Sequence, residues 1–551
     1  MNLAEALEKQ TSYTHTENGA LAFNKTTSKV LDFFALAGAL RNDEERALHL
    51  FNAAFDENPY LAVKALFYAR DVRGGLGERK IPKLLLNHLA KEHPEWVEAN
   101  IELIPYFGRW DDLLVLLDTP VEDKMFSLLR ATLKNDVEAF ESGKSFSLLA
   151  KWLPTPNSGS KNTASIGKRV AKCIIANKSE YIQYCKTLAS LRKQLALPEI
   201  AMAAKRYEDI EYSKIASRAM LFHKDAFKKN DAERFDAYLE SVKSGNAKMN
   251  TGSLVPYNII HAVVRRDNVT DELQLMWDNL PNYIEGDETN ILCMCDTSAS
   301  MTWDGGRPYE VACGLGIYFA ERNHGVFHNK FITFSTEPTF VDISAGGKNL
   351  ERKIDIYRRA DWGGSTDIGA AMKLILDAAV KGHVAPKDMP KALIIISDME
   401  FNTCSHKNNK TFIEEYKSKF EAKGYSLPDV IFWNVNSRNA VYHAQKNDCG
   451  VQLVSGENPS VFRQVIDNIG KNPYDSMVAT LSQERYNVII NPEQMKAEEP
   501  KKKNEEPKKK NGGPKKKTVK RKVTSKKKAE EPVGGFDSLD WADALDEIIK
   551  K

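Results

Sequence analysis

Between Asn290 and Ile469, short apolar runs alternate with helical patterns about a dozen residues long, and this restricts the fold more than any other feature. Strands are predicted at Asn290–Cys295, Lys330–Phe334, Ala392–Ile396, Val430–Val435 and Gly450–Val454. Helices are predicted at Arg307–Arg322, Asp367–Lys381, Phe412–Ala422 and Pro459–Ile469. Strands separated by helices of that length return in parallel, so the pattern specifies a mostly parallel, doubly wound sheet.

Before Glu288 the spacing is helical. Val30, Phe33, Phe34, Ala37 and Leu40 recur at three- and four-residue steps, followed by Ala47, Leu48, Phe51, Ala54 and Phe55. Asn58-Pro59 reads as an N-cap with proline at the first helical position, opening a helix to Arg70. Further helices fit Ile81–Lys91, Pro94–Ile104 and Asp111–Leu117, and the whole stretch from Asn2 to Gly286 reads as helical. Helices joined by short turns stack as antiparallel hairpins, so an α-solenoid is expected, although no repeat of fixed period is present.

The expected architecture is therefore α plus α/β. A helical-repeat domain spans 1–286, a doubly wound domain 287–471, and a helical segment at 472–495 packs back on the first domain. The Lys-rich stretch 496–535 has almost nothing to bury and is expected to be disordered. An acidic segment, 536–551, carries Phe536, Leu539, Trp541, Leu545, Ile548 and Ile549 at a spacing that fits a short amphipathic docking helix.

Charge is distributed unevenly. Lys496–Lys528 holds 16 basic and 4 acidic residues, Ala529–Lys551 holds 2 basic and 7 acidic, and Lys161–Arg218 holds 12 basic and 5 acidic. Two basic concentrations make nucleic acid the first partner to consider. The chain has no run of eighteen apolar residues, and Met1–Lys9 is too polar for a signal peptide. Its 7 cysteines are scattered, with no paired C-x-x-C spacing. Reduced thiols in a cytoplasmic protein without a membrane span are expected. A monomer is favoured.

The most specific motif is Asp296-Thr297-Ser298-Ala299-Ser300, directly after a predicted strand. It sets one carboxylate and two hydroxyls at the strand's carboxyl end, where open α/β sheets bind ligands. Such a hard-oxygen set of low charge suits Mg²⁺, or Mn²⁺, with several waters retained. Two further edge loops supply oxygens: Gly363-Gly364-Ser365-Thr366-Asp367 and Ser397-Asp398. Together the three loops resemble the metal-ion-dependent adhesion site of von Willebrand factor A domains. By that resemblance the ligands are Asp296, Ser298, Ser300, Thr366 and Asp398, with Ser365 an alternative to Thr366. In such sites a ligand oxygen, often a partner's carboxylate, fills the metal's open position, and no chemistry is done.

RNA contact needs Lys and Arg for phosphates and planar groups for unstacked bases. Lys161, Lys168, Arg169 and Lys172 are spaced to share a helix face, with Arg192, Lys193, Lys205, Arg206, Lys214 and Arg218 downstream. Alternatively, they are a solvated surface. The glycine-flanked loop from Arg70 to Arg79 can present Arg73, Arg79 and backbone N–H groups to a phosphate. It reads equally as a structural corner in which Arg73 or Arg79 pairs with Asp71 or Glu78. Arg109-Trp110-Asp111-Asp112 reads as structural, an N-cap with acidic first-turn residues beneath a packed tryptophan.

These strings, with Lys151-Trp152-Leu153-Pro154, Ser217–Lys224, Asn250–Tyr257, Trp362-Gly363-Gly364, Ser397–Glu400 and Ile431–Asn434, resemble phage, plant and fungal relatives of the Ro autoantigen and its TROVE module. The resemblance covers about Thr16 to Ile490. It implies a ring or horseshoe of HEAT-like helical hairpins closed by a von Willebrand A domain, in a ribonucleoprotein that binds structured small RNAs and single-stranded RNA ends. His223, His261, His324 and His383 are isolated in sequence, and no nucleophile–base spacing can be argued, so no enzyme is expected. RNA binding leads. The alternative is a metal-dependent protein–protein adaptor, in phage assembly or host interaction, with no specific RNA.

Overall fold

The first strands come from a segment with the wrong spacing for them. Residues 13–23 form an antiparallel hairpin, β1 (Tyr13–His15) and β2 (Leu21–Phe23), where the sequence reading expects helix. Thr16-Glu17-Asn18-Gly19 makes the turn, with Gly19 at φ +87°, a conformation side chains disfavour. The correction has a physical cause: the hairpin is held by a distant segment. Phe23 exchanges backbone hydrogen bonds with Tyr442, 2.9 and 2.8 Å long. No local periodicity records that pairing.

The computed structural model describes residues 3, 7, 10–174, 180–266, 268–286, 290–360, 362–403 and 410–494. The Lys-rich stretch and the acidic segment 536–551 lie outside the described residues, as does Cys404. From Lys29 to Asp278 the described structure is helical, and several predicted boundaries hold. The helix Pro59–Arg70 starts at the expected Asn58 cap, whose side chain accepts from Leu61 N. Asp111–Leu117 is instead a 3₁₀ turn, Trp110–Leu116. No helix among the described residues is long and apolar enough to cross a membrane.

A six-stranded mixed sheet follows. Its strands are β3 (Ile291–Asp296), β4 (Lys330–Phe334), β5 (Thr339–Asp342), β6 (Ala392–Ser397), β7 (Asp429–Asn434) and β8 (Val451–Ser455). They lie in the order β5-β4-β3-β6-β7-β8, all parallel except β5, which pairs antiparallel with β4 at the edge. β3 and β6 are buried at every position, which is why they read as unbroken apolar runs. Strand order reverses between β3 and β6. In open α/β sheets the carboxyl ends at such a reversal form the ligand crevice.

The helical part meets the sheet part at both of its ends. Near its start, Gly38 N donates to Ser455 Oγ at 2.9 Å. An added Cβ at Gly38 would come within 2.7 Å of the Ser455 and Gly456 backbone, so this approach requires glycine. At its end, the helix Pro256–Arg266 packs along the helix Arg307–Arg322. The segment Pro473–Leu481 packs on the helix Pro59–Arg70, and a single hydrophobic cluster runs through both parts.

Candidate metal centre

Asp296 ends β3 and Asp398 follows β6, so the strand reversal sets two carboxylates at neighbouring carboxyl ends. Both are buried. Within the first loop, Ser298 N donates to Asp296 Oδ1 at 2.8 Å, and the Ser298 and Ser300 hydroxyls lie 3.1 Å apart. Ser397 Oγ donates to Asp296 Oδ2 and accepts from Met399 N at 2.9 Å. That single hydroxyl ties the end of β6 to the end of β3. It also holds Met399 at φ +69°, a conformation that costs a residue with a Cβ about 1–3 kcal/mol.

The electrostatics follow from burial. Desolvation, reinforced by the Asp398 charge, pushes the Asp296 carboxyl up to about 7. Asp398 is also raised by desolvation, while Arg438 and Ser300 oppose the shift. Arg438, on the loop after β7, places Nη2 3.0 Å from Asp398 Oδ2. Its guanidinium lies over the Trp303 ring, 4.5 Å from the centroid, and Nη1 donates to Glu17 Oε2 at the hairpin tip.

The second loop joins the third. Thr366 N donates to Asn402 Oδ1 at 3.1 Å, and Asn402 N donates to Thr366 O at 3.0 Å. Thr366 is buried, whereas the Ser365 hydroxyl turns to Thr336 Oγ1 at 3.2 Å. Asn18 Nδ2 of the hairpin tip reaches Thr366 Oγ1 at 3.5 Å and Glu400 O at 2.5 Å. Thus the structure brings the three loops together and adds residues that sequence reading missed: Glu17, Asn18, Trp303, Glu400 and Arg438. The exposed Trp303 lies three residues past the Asp-x-Ser-x-Ser motif and offered the nearest signal.

The basic candidates separate into two groups. Lys161, Lys168, Lys172, Lys193 and Lys205 are exposed. Arg169 bridges Asp118, at 2.8 Å, and Glu122. Arg206 pairs with Asp209 at 3.2 Å. Arg192 is withdrawn from the surface set, because its guanidinium binds the carbonyls of Ala150 (2.7 Å) and Leu153 (2.5 Å) at the end of a short helix. Burial lowers the Arg192 pKa accordingly.

In the Arg70–Arg79 loop the acids are paired within the fold, and Arg73 N donates to Asp71 Oδ1 at 3.0 Å. Asp71 is fully buried and accepts from Arg485 Nη2 (2.6 Å) and Tyr486 Oη (3.0 Å). Glu78 pairs with Arg41. Gln464 and Asn458 donate to the Gly74 and Gly75 carbonyls at 2.6 and 2.8 Å. Arg73 is exposed, with Nη1 3.2 Å from Tyr106 O, and the Arg79 carbonyl accepts from Lys83 N at 3.2 Å. The loop is a structural corner that clamps the helical part to the sheet part.

Arg109 N donates to Asp112 Oδ2 at 2.9 Å, and its guanidinium lies over Trp152, 4.3 Å from the centroid. The ring beside this turn is thus Trp152, from a separate segment, while Trp110 itself is only half-buried. Two of the histidines isolated in sequence have acidic neighbours: His261 Nδ1 lies 2.7 Å from Glu310 Oε2, and His223 Nε2 lies 3.8 Å from Glu199 Oε1.

Residues 16–132 and 123–281 match a family described as "Domain of unknown function (DUF2828)". Residues 290–526 match another, "Domain of unknown function (DUF7788)". The gap between the two matches falls where the helical part gives way to β3. The chain is also similar to "Uncharacterized protein L728" of Acanthamoeba polyphaga mimivirus, 27% identical over 520 residues that cover 87% of this chain and 89% of the relative.

Proposed function

We propose that this is a non-catalytic binding protein whose ligand centre is a divalent cation, Mg²⁺ or Mn²⁺, at the carboxyl ends of β3 and β6. The observation that carries the reading is the Asp296–Asp398 pair, two buried carboxylates set side by side where strand order reverses. Buried like charges are costly unless a cation compensates them. Arg438 contacts Asp398, and a divalent ion would balance the charge of the pair.

The donor chemistry fits. Among the described residues no three His, Cys, Asp or Glu side chains converge on a metal-binding cluster. The available set is therefore two carboxylates and the hydroxyls of Ser298, Ser300 and Thr366, suited to a hard cation that keeps waters. The ion would act as a Lewis-acidic anchor for a ligand oxygen. Ser397 orients Asp296, Arg438 orients Asp398, and Asn402 fixes the Thr366 backbone. The arrangement supports an adhesion-type site on a von Willebrand A-like sheet. Contact of the helical part with the sheet at both ends supports the Ro-like closed arrangement of HEAT-like hairpins.

The test is Mn²⁺ calorimetry on the full chain and Asp296→Ala. The reading expects stoichiometric binding in the wild type and none in the variant, with the helical circular dichroism retained. Equal affinities would defeat it.

A second reading, RNA binding, is supported by the exposed lysines 161, 168, 172, 193 and 205, which cluster on and after the helix Lys161–Ile174. The commitment of Arg192 to carbonyls, and of Arg169 and Arg206 to acids, reduces that face, so the metal-centred reading leads. A cytoplasmic, monomeric adaptor with an acidic protein ligand fits it.

A further inference from the structure

Beside the proposed metal lies a second ligand-binding element that the adhesion-site resemblance does not supply. Arg438 is held on both sides: its guanidinium lies over Trp303, and its Nη2 donates to Asp398 Oδ2 at 3.0 Å. Its side chain is 17% exposed. The remaining direction, through Nη1, is taken by the carboxylate of Glu17. Glu17 sits at the tip of the β1–β2 hairpin, 421 residues away in sequence.

That tip is itself fastened to the sheet edge. Thr16 Oγ1 donates to Phe401 O at 2.6 Å, Glu17 N to Glu400 Oε2 at 2.7 Å, and Thr403 Oγ1 to Gly19 O at 2.8 Å. Asn18 reaches Thr366, one of the proposed metal ligands. The hairpin thus lays a carboxylate against the face on which an adhesion-type site takes its ligand.

We infer that Arg438, stacked on Trp303, forms a carboxylate-binding subsite beside the metal, and that Glu17 of the chain's own hairpin is its resident ligand. The inference rests on the metal-centred reading for its second half only. Charge favours the pairing. Asp296 and Asp398 balance a divalent ion, which leaves the Arg438 charge to be balanced by an anion. Glu17 does so, while Glu400 nearby is committed to Glu17 N and, through Oε1, to Asn439 Nδ2 at 2.9 Å. An external acidic side chain would have to displace Glu17 to bind there.

The experiment uses the full chain, with acetate as the probe. In Glu17→Gln the subsite keeps its shape and loses its carboxylate. Acetate at millimolar concentration should then change the fluorescence of Trp303, identified by its loss in Glu17→Gln/Trp303→Phe, with or without Mn²⁺. Wild type and Glu17→Gln/Arg438→Gln should not respond. Affinity for Mn²⁺ should fall roughly five- to tenfold in Glu17→Gln, the size of one partly screened charge interaction, and acetate should restore it. Equal acetate responses with and without Arg438, or no response in Glu17→Gln, would overturn the subsite. Failure of the wild type to bind Mn²⁺ would defeat the metal reading alone, since the acetate response is read without metal.

Discussion

Arg485 reaches back across 414 residues to Asp71, with Nη2 2.6 Å from Oδ1. Tyr486 adds its hydroxyl to the same carboxylate at 3.0 Å and stacks its ring on Phe107, 5.7 Å between centroids. A segment after the sheet therefore locks onto a loop near the start of the helical part. The loop's glycines admit the contact: a Cβ at Gly74 would lie 3.1 Å from Arg485 Cδ, and one at Gly75 2.1 Å from Tyr68 O.

The first prediction concerns this clamp. Arg485→Met leaves a buried carboxylate with one charged partner fewer and should cost about 3 kcal/mol. Arg73→Ala, an exposed change in the same loop, should stay within about 0.5 kcal/mol. Urea unfolding of the two variants measures the difference. Equal, small effects would mean that the loop is not a structural corner.

The second concerns pH. Asp296 is pushed up to about 7 by burial and by Asp398, so the metal-free folded state holds a proton that the unfolded chain releases near the ordinary carboxylate value. Its contribution is full below about pH 4 and is lost as pH rises through about 7. Added Mg²⁺ should therefore raise the melting temperature increasingly as pH goes from 5 to 8. His443, buried and lowered to about 4, acts in the opposite direction below its ordinary value of 6.5. It is present with and without metal, so the difference between the two melting curves isolates the Asp296–Asp398 pair. A Mg²⁺ effect independent of pH would contradict the assignment.

The third concerns RNA. In the chain ending at residue 494, reversing charge at Lys161, Lys168 and Lys172 together should weaken RNA binding. It should lower the salt slope by roughly 0.7–0.9 for each phosphate that is no longer neutralised. Arg192→Gln should instead destabilise the fold, because it removes the donors to the Ala150 and Leu153 carbonyls. Filter binding across a salt series, with a melting curve for each variant, separates the two effects. Unchanged slopes would remove the RNA reading.

Legibility in the sequence followed locality. The parallel strands announce themselves because β3 and β6 are buried along their whole length and β4, β7 and β8 at all but one position, and the helix Arg307–Arg322 and strand Lys330–Phe334 lie where the periodicity places them. The edge strand β5 was missed because only Val341 of its four residues is buried, which leaves no apolar run. The β1–β2 hairpin was missed because Tyr442 completes its pairing from another domain. The same distinction divides the site. Asp296, Ser298 and Ser300 share five residues of chain, and that spacing is a motif. Glu17, Trp303 and Arg438 meet only after three separate segments fold together, and nothing in any one of them records the meeting.

The metal itself provides the most direct test. A crystal of the full chain soaked in Mn²⁺, with data collected at the manganese absorption edge, locates the ion without reference to any assay. The account predicts one anomalous peak at the carboxyl ends of β3 and β6, in coordination contact with the Ser298 and Ser300 hydroxyls and beside Asp296 and Asp398. That peak should be absent in Asp296→Ala. A peak elsewhere, or none at these residues in an otherwise unchanged fold, would contradict it.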